Sequence, residues 1–347
     1  MRRKITEVIE RWNSSNQKKV LLIKGPRQVG KTFSIEEFGK RVYGEHFLEI
    51  NFKDNPDAMD IFKGELDVDH IIMRMSAKFR DFDFVPYETL IFLDEIQNCP
   101  QARTALKPLA KDGRYKVIAS GSLMGIRMKD VGLHPTGYLQ RVDMHPMDFE
   151  EFLWALDMPQ RVIEDVRGSI SRMEPIDEFI YKTFSELFNT YLVVGGMPEA
   201  LGSFVDSRML NGLDEVFREL REGYSDDIAS FAERTAKALA GPCMQSIPRM
   251  LSMKNKKFMY SKVKGGGAVE GESDDPPIKE GSKNTGFRYF APALNWLSMA
   301  GITLTCNNVS EPRAPLEERM QTDKFKLYLM DTGFLLSFYD KSVFQEV

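Results

Sequence analysis

Along the first 147 residues the apolar positions follow two alternating rhythms. Solid runs rich in branched and aromatic side chains predict buried strands at Val20–Ile23, Phe47–Phe52, Leu90–Leu93, Val117–Ala119 and Leu139–Met144. Between them apolar residues return every three or four positions, which predicts helices over 33–41, Val68–Phe79 and Gln101–Lys111. Ile5, Val8, Ile9 and Trp12 add a short amphipathic helix at the start. Strand alternating with helix is the pattern of a parallel sheet covered on both faces, an α/β domain.

Beyond this region the rhythm is helical to about residue 240. Phe149, Phe152, Leu153 and Leu156 share one face, as do Phe184, Leu187, Phe188 and Tyr191. Asp148 reads as an N-cap, with Glu150 and Glu151 in the first turn. Gly195, Gly196 and Pro198 break the region with a tight turn. Ile247 to Leu251 opens another helical stretch. Residues 264–285, made of glycines, prolines and charges, bury too little to order and predict a disordered insertion. A helix from Phe287 to Ala300, carrying Leu294, Trp296 and Leu297, is followed by a strand pair, Ile302–Thr305 and Phe325–Met330. Helices before a strand pair predict a winged-helix-like α+β region. Arg288 is the only strong base on its would-be reading helix, fewer than DNA readers carry. The expected division is an α/β core at 1–147, a helical lid at 148–241 and the winged-helix-like region at 242–347.

The chemistry sits at two strand tips. After Val20–Ile23 come Gly25, Pro26, Arg27, Gln28, Val29, Gly30, Lys31, Thr32 and Phe33, which fit G-x-x-x-x-G-K-[ST] between a strand and a helix. A triphosphate carries dense negative charge, and the N–H groups of such a loop, with the helix N-terminus behind them, surround it. Residues 25–33 are therefore the expected ATP contacts. Lys31 reaches the β- and γ-phosphates, and the Thr32 hydroxyl reaches Mg²⁺. The run Leu90–Leu93 ends in Asp94 and Glu95, at the sheet edge where α/β proteins bind ligands. Asp94 is the second expected Mg²⁺ ligand, and Glu95 the general base for the attacking water. Ser120, at the tip of the fourth strand, either holds that water or the γ-phosphate, or belongs to a serine turn with Ser122. Arg141, in the fifth strand after His134–Gly137, either approaches a phosphate or a neighbouring subunit, or serves as a surface ion-pair partner.

The net charge of −4 argues against a generally basic nucleic-acid coat but leaves room for a local patch. Three scattered cysteines, Cys99, Cys243 and Cys306, fit a reducing cytoplasm rather than a disulfide framework or a zinc site. No apolar run reaches membrane-spanning length, so no membrane partner is expected. The guanine-reading Asn-Lys-x-Asp is absent, since Asn255 and Lys256 lead to Phe258 instead of an acid.

Six blocks together resemble a known family: residues 24–32, 92–97, 120–122, 144–153, 194–199 and 326–333. The chain resembles prokaryotic AAA-type ATPases with a C-terminal domain of unknown function, similar to archaeal ATPases and more remotely to origin-recognition initiators. The resemblance implies a P-loop NTPase of the AAA+ type, with a five-stranded core and one strand inserted between the loop strand and the acid strand. It implies nucleotide and Mg²⁺ at Lys31 and Thr32, and Mg²⁺ and hydrolysis at Asp94 and Glu95. It also implies a nuclease-like domain past Leu327, Tyr328, Asp331 and Gly333, whose carboxylates this sequence, ending at Val347, does not carry. Two functions follow as expectations. One is an ATP-hydrolysing conformational switch. The other is an ATP-bound nucleic-acid-binding or protein-interaction module with little turnover. The apolar residues Phe334–Tyr339 are expected as a partly exposed patch through which the chain self-associates or recruits a protein.

Overall fold

The computed structural model describes residues 1–15, 17–122, 137–263 and 285–339. Residues 264–284 of the expected insertion and the turn residues 134–136 lie outside them. The chain divides into two compact units, Met1–His145 and Pro146–Val347.

In the first unit, the five solid apolar runs become five parallel strands: β1 (Val20–Lys24), β2 (Phe47–Asn51), β3 (Leu90–Asp94), β4 (Lys116–Gly121) and β5 (Leu139–Asp143). Their order is β2-β3-β4-β1-β5, so β4 lies between the loop strand and the acid strand. Helices α1 (Lys4–Ser14), α2 (Lys31–Tyr43), α3 (Val68–Lys78) and α4 (Pro100–Asp112) accompany them. Successive strand residues face opposite sides of a sheet. One set, including Leu22, Ile50, Leu93 and Ala119, packs on Ile71 and Met75 of α3 and Leu106 and Leu109 of α4. The other set includes Leu21, Ile23, Phe92 and Ile118, and is buried with Ile35 and Phe38 of α2. Every residue of β3 is buried, as a central parallel strand requires.

The second unit holds α5 (Phe149–Ala155), α6 (Gln160–Arg172), α7 (Glu178–Val194), α8 (Pro198–Ser207), α9 (Leu213–Phe231), α10 (Arg234–Leu251), α11 (Thr285–Met299) and α12 (Thr332–Leu336). Strands β6 (Thr303–Val309) and β7 (Met320–Leu329) form an antiparallel ribbon. Asp148 caps α5 in a full capping box: Glu151 N donates to its Oδ1 at 3.0 Å, and Asp148 N donates to Glu151 Oε2 at 3.1 Å. Phe149 on α5 lies 5.1 Å from Phe188 and 5.7 Å from Tyr191 on α7, ring centre to ring centre.

One expectation is corrected here and another narrowed. The helix does not stop near residue 240 and restart at Ile247; α10 runs unbroken through Pro242 and Pro248. An interior proline costs about 3 kcal/mol. The buried stripe of Leu239, Ala240, Cys243, Met244, Ile247 and Met250 offsets that cost by continuing across both prolines. Within the partly exposed run Phe334–Tyr339, Phe334 is the exception, since residues 335–338 are half-buried and Tyr339 is exposed. Phe334 is fully buried, 5.7 Å from Tyr224 and 5.2 Å from Phe338 between ring centres, and Arg221 lies 5.3 Å from the Phe338 ring. Short α12, packed on α9 through Phe334, buries that one ring of the run.

Three of the sequence blocks meet in this unit. Asp331, almost fully buried, accepts from Gly196 N at 2.6 Å and from Phe334 N at 2.8 Å. Gly196 O accepts from Met147 N at 2.7 Å, and Met147 O accepts the Tyr191 hydroxyl at 3.0 Å. A Cβ on Gly196 would stand 2.0 Å from Met147 O, so only glycine permits the approach. Burial pushes the Asp331 carboxyl above the usual range, against the backbone N–H groups that favour its charged form.

Candidate functional site

β1 ends at Lys24 and α2 begins at Lys31, so residues 25–30 form a loop at the C-terminal edge of the sheet. Gln28 (φ +63°) and Gly30 (φ +88°) take left-handed conformations that turn the chain into the helix. A Cβ on Gly25 would lie 2.1 Å from Met144 O, just past β5, so the loop seats against the next strand end only with glycine there. Lys31 is buried, and its Nζ donates to Gly25 O at 3.0 Å and Pro26 O at 2.6 Å. Val29 is fully buried, so the loop's outward chemistry at that position is its backbone. Arg27 is half-buried, and Phe33 is 60 % exposed on the first turn of α2.

The two motifs join through one carboxylate. Thr32 Oγ1 donates to Asp94 Oδ2 at 2.8 Å. The Ser120 hydroxyl donates to Asp94 Oδ1, and Asn51 Nδ2 reaches Oδ2 at 3.4 Å. Asp94 and Ser120 are both buried. The tips of β2, β3 and β4 and the first turn of α2 thus converge on Asp94. Through this bond Ser120 fixes one oxygen of the carboxylate. Glu95 follows with a left-handed backbone (φ +49°), and the amide of buried Gln97 donates to its carboxylate.

Arg141 lies on the outer strand, away from the strand tips in backbone register. It is registered with Leu22 in the middle of β1, short of the edge where the loop begins, and its side chain is exposed on the outer strand. The five-strand register fixes that distance, which spacing along the chain does not reveal.

Sequence reasoning passed over Arg3, Asn51 and Gln97. Arg3 lies just before α1, is almost fully buried, and donates Nη1 to Val29 O at 2.7 Å and Nη2 to His145 O at 2.9 Å. It ties the phosphate loop to the end of β5. Its only sequence signal was a basic N-terminus. Asn51 and Gln97 had a weak signal, each being polar and close to a strand tip at the reactive edge.

Glu49, on β2, has its carboxyl pushed up to about 7 by burial, then by the negative charges of Glu36 and Asp94, with Lys40 working the other way. The Thr32 hydroxyl and the Asp94 carboxylate offer hard oxygen donors side by side, the donor set that Mg²⁺ takes together with phosphate oxygens and water. Elsewhere a carboxylate–histidine group, Glu65, Asp67 and His70, is exposed. There Asp67 caps α3, accepting from His70 N at 3.1 Å.

Residues 17–153 match the family described as AAA domain, and residues 185–342 match a domain of unknown function (DUF8612). An uncharacterized protein of Methanocaldococcus jannaschii is 22% identical over 223 residues, 64% of this chain and 44% of that protein. The chain thus spans less than half the length of this relative. Among solved structures, the Aeropyrum pernix ORC1 protein in complex with DNA aligns over 99% of this chain and 92% of its own, at 12% identity and a TM-score of 0.33. The Pif1 helicase from Candida albicans aligns over 45% and 43%, at 12% identity and a TM-score of 0.31. Both alignments are loose, and the P-loop fold stands on the strand order and the loop themselves. Among the described residues no helix is long and apolar enough to cross a membrane.

Proposed function

We propose that this chain, an AAA domain at 17–153 joined to a domain of unknown function at 185–342, binds ATP with Mg²⁺ at residues 25–33 and hydrolyses it to ADP and phosphate. The observation that carries this is the 2.8 Å bond from Thr32 to Asp94, which joins the phosphate loop to the acid strand across the inserted β4.

The loop amides and Lys31 neutralise the β- and γ-phosphates as charge builds on the leaving group. Thr32 and Asp94 would hold Mg²⁺, which when bound adds positive charge against the same oxygens. Ser120 and Asn51 fix the orientation of Asp94. Glu95 accepts the proton of the attacking water. Its carboxylate is held by Gln97, so release from that amide arms the base. Arg3 keeps the loop against the end of β5. The energy released drives a change in the helical region that follows, for which residues 148–241 serve as the lid.

Calorimetry and phosphate release test this reading together. Lys31→Ala is expected to weaken ATP binding by at least tenfold, because the phosphates lose a buried cation. Glu95→Gln is expected to bind ATP normally and turn over about 10²–10⁴ times more slowly. Unchanged ATP affinity in Lys31→Ala removes the site. Tight ATP binding by the parent without phosphate release leaves the module with little turnover.

A further inference from the structure

The opposite edge of the sheet carries a second arrangement that the nucleotide site does not use. The starts of β1 and β4 and the end of α4 border a cleft of about 340 Å³, lined by Lys18, Lys19, Lys116, Tyr87 and Tyr115. Lys18 lies over Gly113 and donates to Asp112 O at 3.1 Å. Lys116 donates to Ser15 O at 3.1 Å, with its ammonium 5.2 Å from the centre of the Trp12 ring. Both bonds go to neutral carbonyls, so both ammonium groups keep their full charge and spare donors. Among the described residues none of the three lysines pairs with a carboxylate. Burial lowers the pKa of Lys116, which marks it as a partly desolvated cation. Asp112, whose charge also feels Lys18, is engaged on both oxygens by Arg114 Nε at 2.9 Å.

Tyr87 is the second element. The residue is 78 % exposed although its backbone is left-handed (φ +69°). That conformation costs a bulky residue about 1–3 kcal/mol. The turn is pinned by Tyr87 N on Arg114 O at 2.6 Å and by Val85 N on Thr89 Oγ1 at 3.0 Å. A flat ring is thus held out to solvent on a rigid mount beside three cations. The positive surface continues along α4, where Lys107 and Lys111 lie 5.9 and 5.6 Å from the centre of the Tyr138 ring.

We propose that this cleft binds single-stranded nucleic acid, with backbone phosphates on Lys18, Lys19 and Lys116 and one base stacked on Tyr87. Cations interleaved with an exposed aromatic face are the chemistry that takes such a strand without reading its sequence. A duplex keeps its bases stacked inside and has none to offer Tyr87. A free nucleotide leaves Lys107 and Lys111, beyond the cleft, without a phosphate. An acidic peptide answers the lysines but not the ring. The net charge of −4 is no obstacle, because the cations are gathered at one edge. The site is independent of hydrolysis at the phosphate loop.

Fluorescence anisotropy of a labelled oligothymidylate with the full chain tests the proposal. Saturating ATP and Mg²⁺ keep the strand from the phosphate loop. Binding is expected at about 50 mM salt and should fall as salt rises, with the log–log slope shrinking by about 0.7 for each phosphate-contacting lysine removed. Lys18→Ala with Lys19→Ala should shrink it by both increments. Tyr87→Ala is expected to weaken binding by about five- to a hundredfold, and Tyr87→Phe to restore it. Lys18→Glu, at the exposed rim, provides a charge reversal that does not touch the Tyr87 turn should Tyr87→Ala fail to fold. Absence of binding at low salt, or equal binding by Lys18→Glu and the parent, overturns the proposal. So does competition by thymidine monophosphate, by a duplex of equal length or by a poly-glutamate peptide that matches the single strand.

Discussion

Arg3→Ala tests whether a residue outside both motifs governs the phosphate loop. The change removes two hydrogen bonds from a charged donor, at 2.7 Å to Val29 O and 2.9 Å to His145 O. Bonds of this kind contribute about 1.5–3 kcal/mol each, so about 3–6 kcal/mol is at stake. His145 is exposed and its carbonyl regains water, which reduces the expected loss to about 2–4 kcal/mol. In a unit of this size that lowers the melting temperature by roughly 5–10 °C. The loss should also reach function, because the loop amides must hold their directions before ATP arrives. ATP affinity is expected to fall about tenfold, near 1.4 kcal/mol. Arg3→Lys, with one ammonium in place of a two-pronged guanidinium, should fall between parent and alanine. Differential scanning calorimetry, ATP titration and hydrogen exchange over residues 25–31 read the three effects. Melting within about 1 °C of the parent, with equal ATP affinity, refutes the clamp.

Two further outcomes follow from the packing. Gly196→Ala should abolish folding of the second unit, because its Cβ would lie 2.0 Å from Met147 O, while ATP binding by the first unit is retained. Asp331→Asn should destabilise that unit by about 1–3 kcal/mol in chemical denaturation, because whichever way the amide sits, one backbone N–H loses its acceptor or faces an N–H₂. For Glu49 the folded value near 7 lies above the ordinary 4.5. The folded chain therefore keeps a proton that the unfolded chain has released, and stability present below about 4.5 is lost as pH rises to about 7. Urea melts of the nucleotide-free protein from pH 4.5 to 8 should show this slope, and Glu49→Gln should flatten it and be the more stable form at pH 8. A Glu49→Gln slope equal to the parent's would remove Glu49 as its source.

The sequence alone determined whatever is encoded within a few consecutive residues. Strand and helix periods are set by side-chain alternation over 5 to 13 residues, so β1 to β5 and α2 to α4 were legible within a residue or two of their ends. The Asp148 capping box spans three residue steps and was equally legible on its Asp148 side. The loop at 25–32 and the acid pair Asp94 and Glu95 were visible because phosphate chemistry demands particular residues at fixed spacing. Tertiary structure decided everything that depends on which strands neighbour each other and which surfaces meet. Arg3 meets partners 26 and 142 positions away. Ser120 turned to Asp94 because β4 lies beside β3, and the pairing of β5 with β1 set Arg141 opposite Leu22. α10 crossed its two prolines because the buried face it shares with its neighbours outweighs them. Phe334 vanished into the core because α12 folds back, and Asp331 met Gly196 over a separation of 135 residues. Local propensity is a short-range energy of tenths of a kcal/mol per residue, whereas burial and pairing between distant segments supply kcal/mol at single contacts. Where the two compete, the three-dimensional arrangement wins.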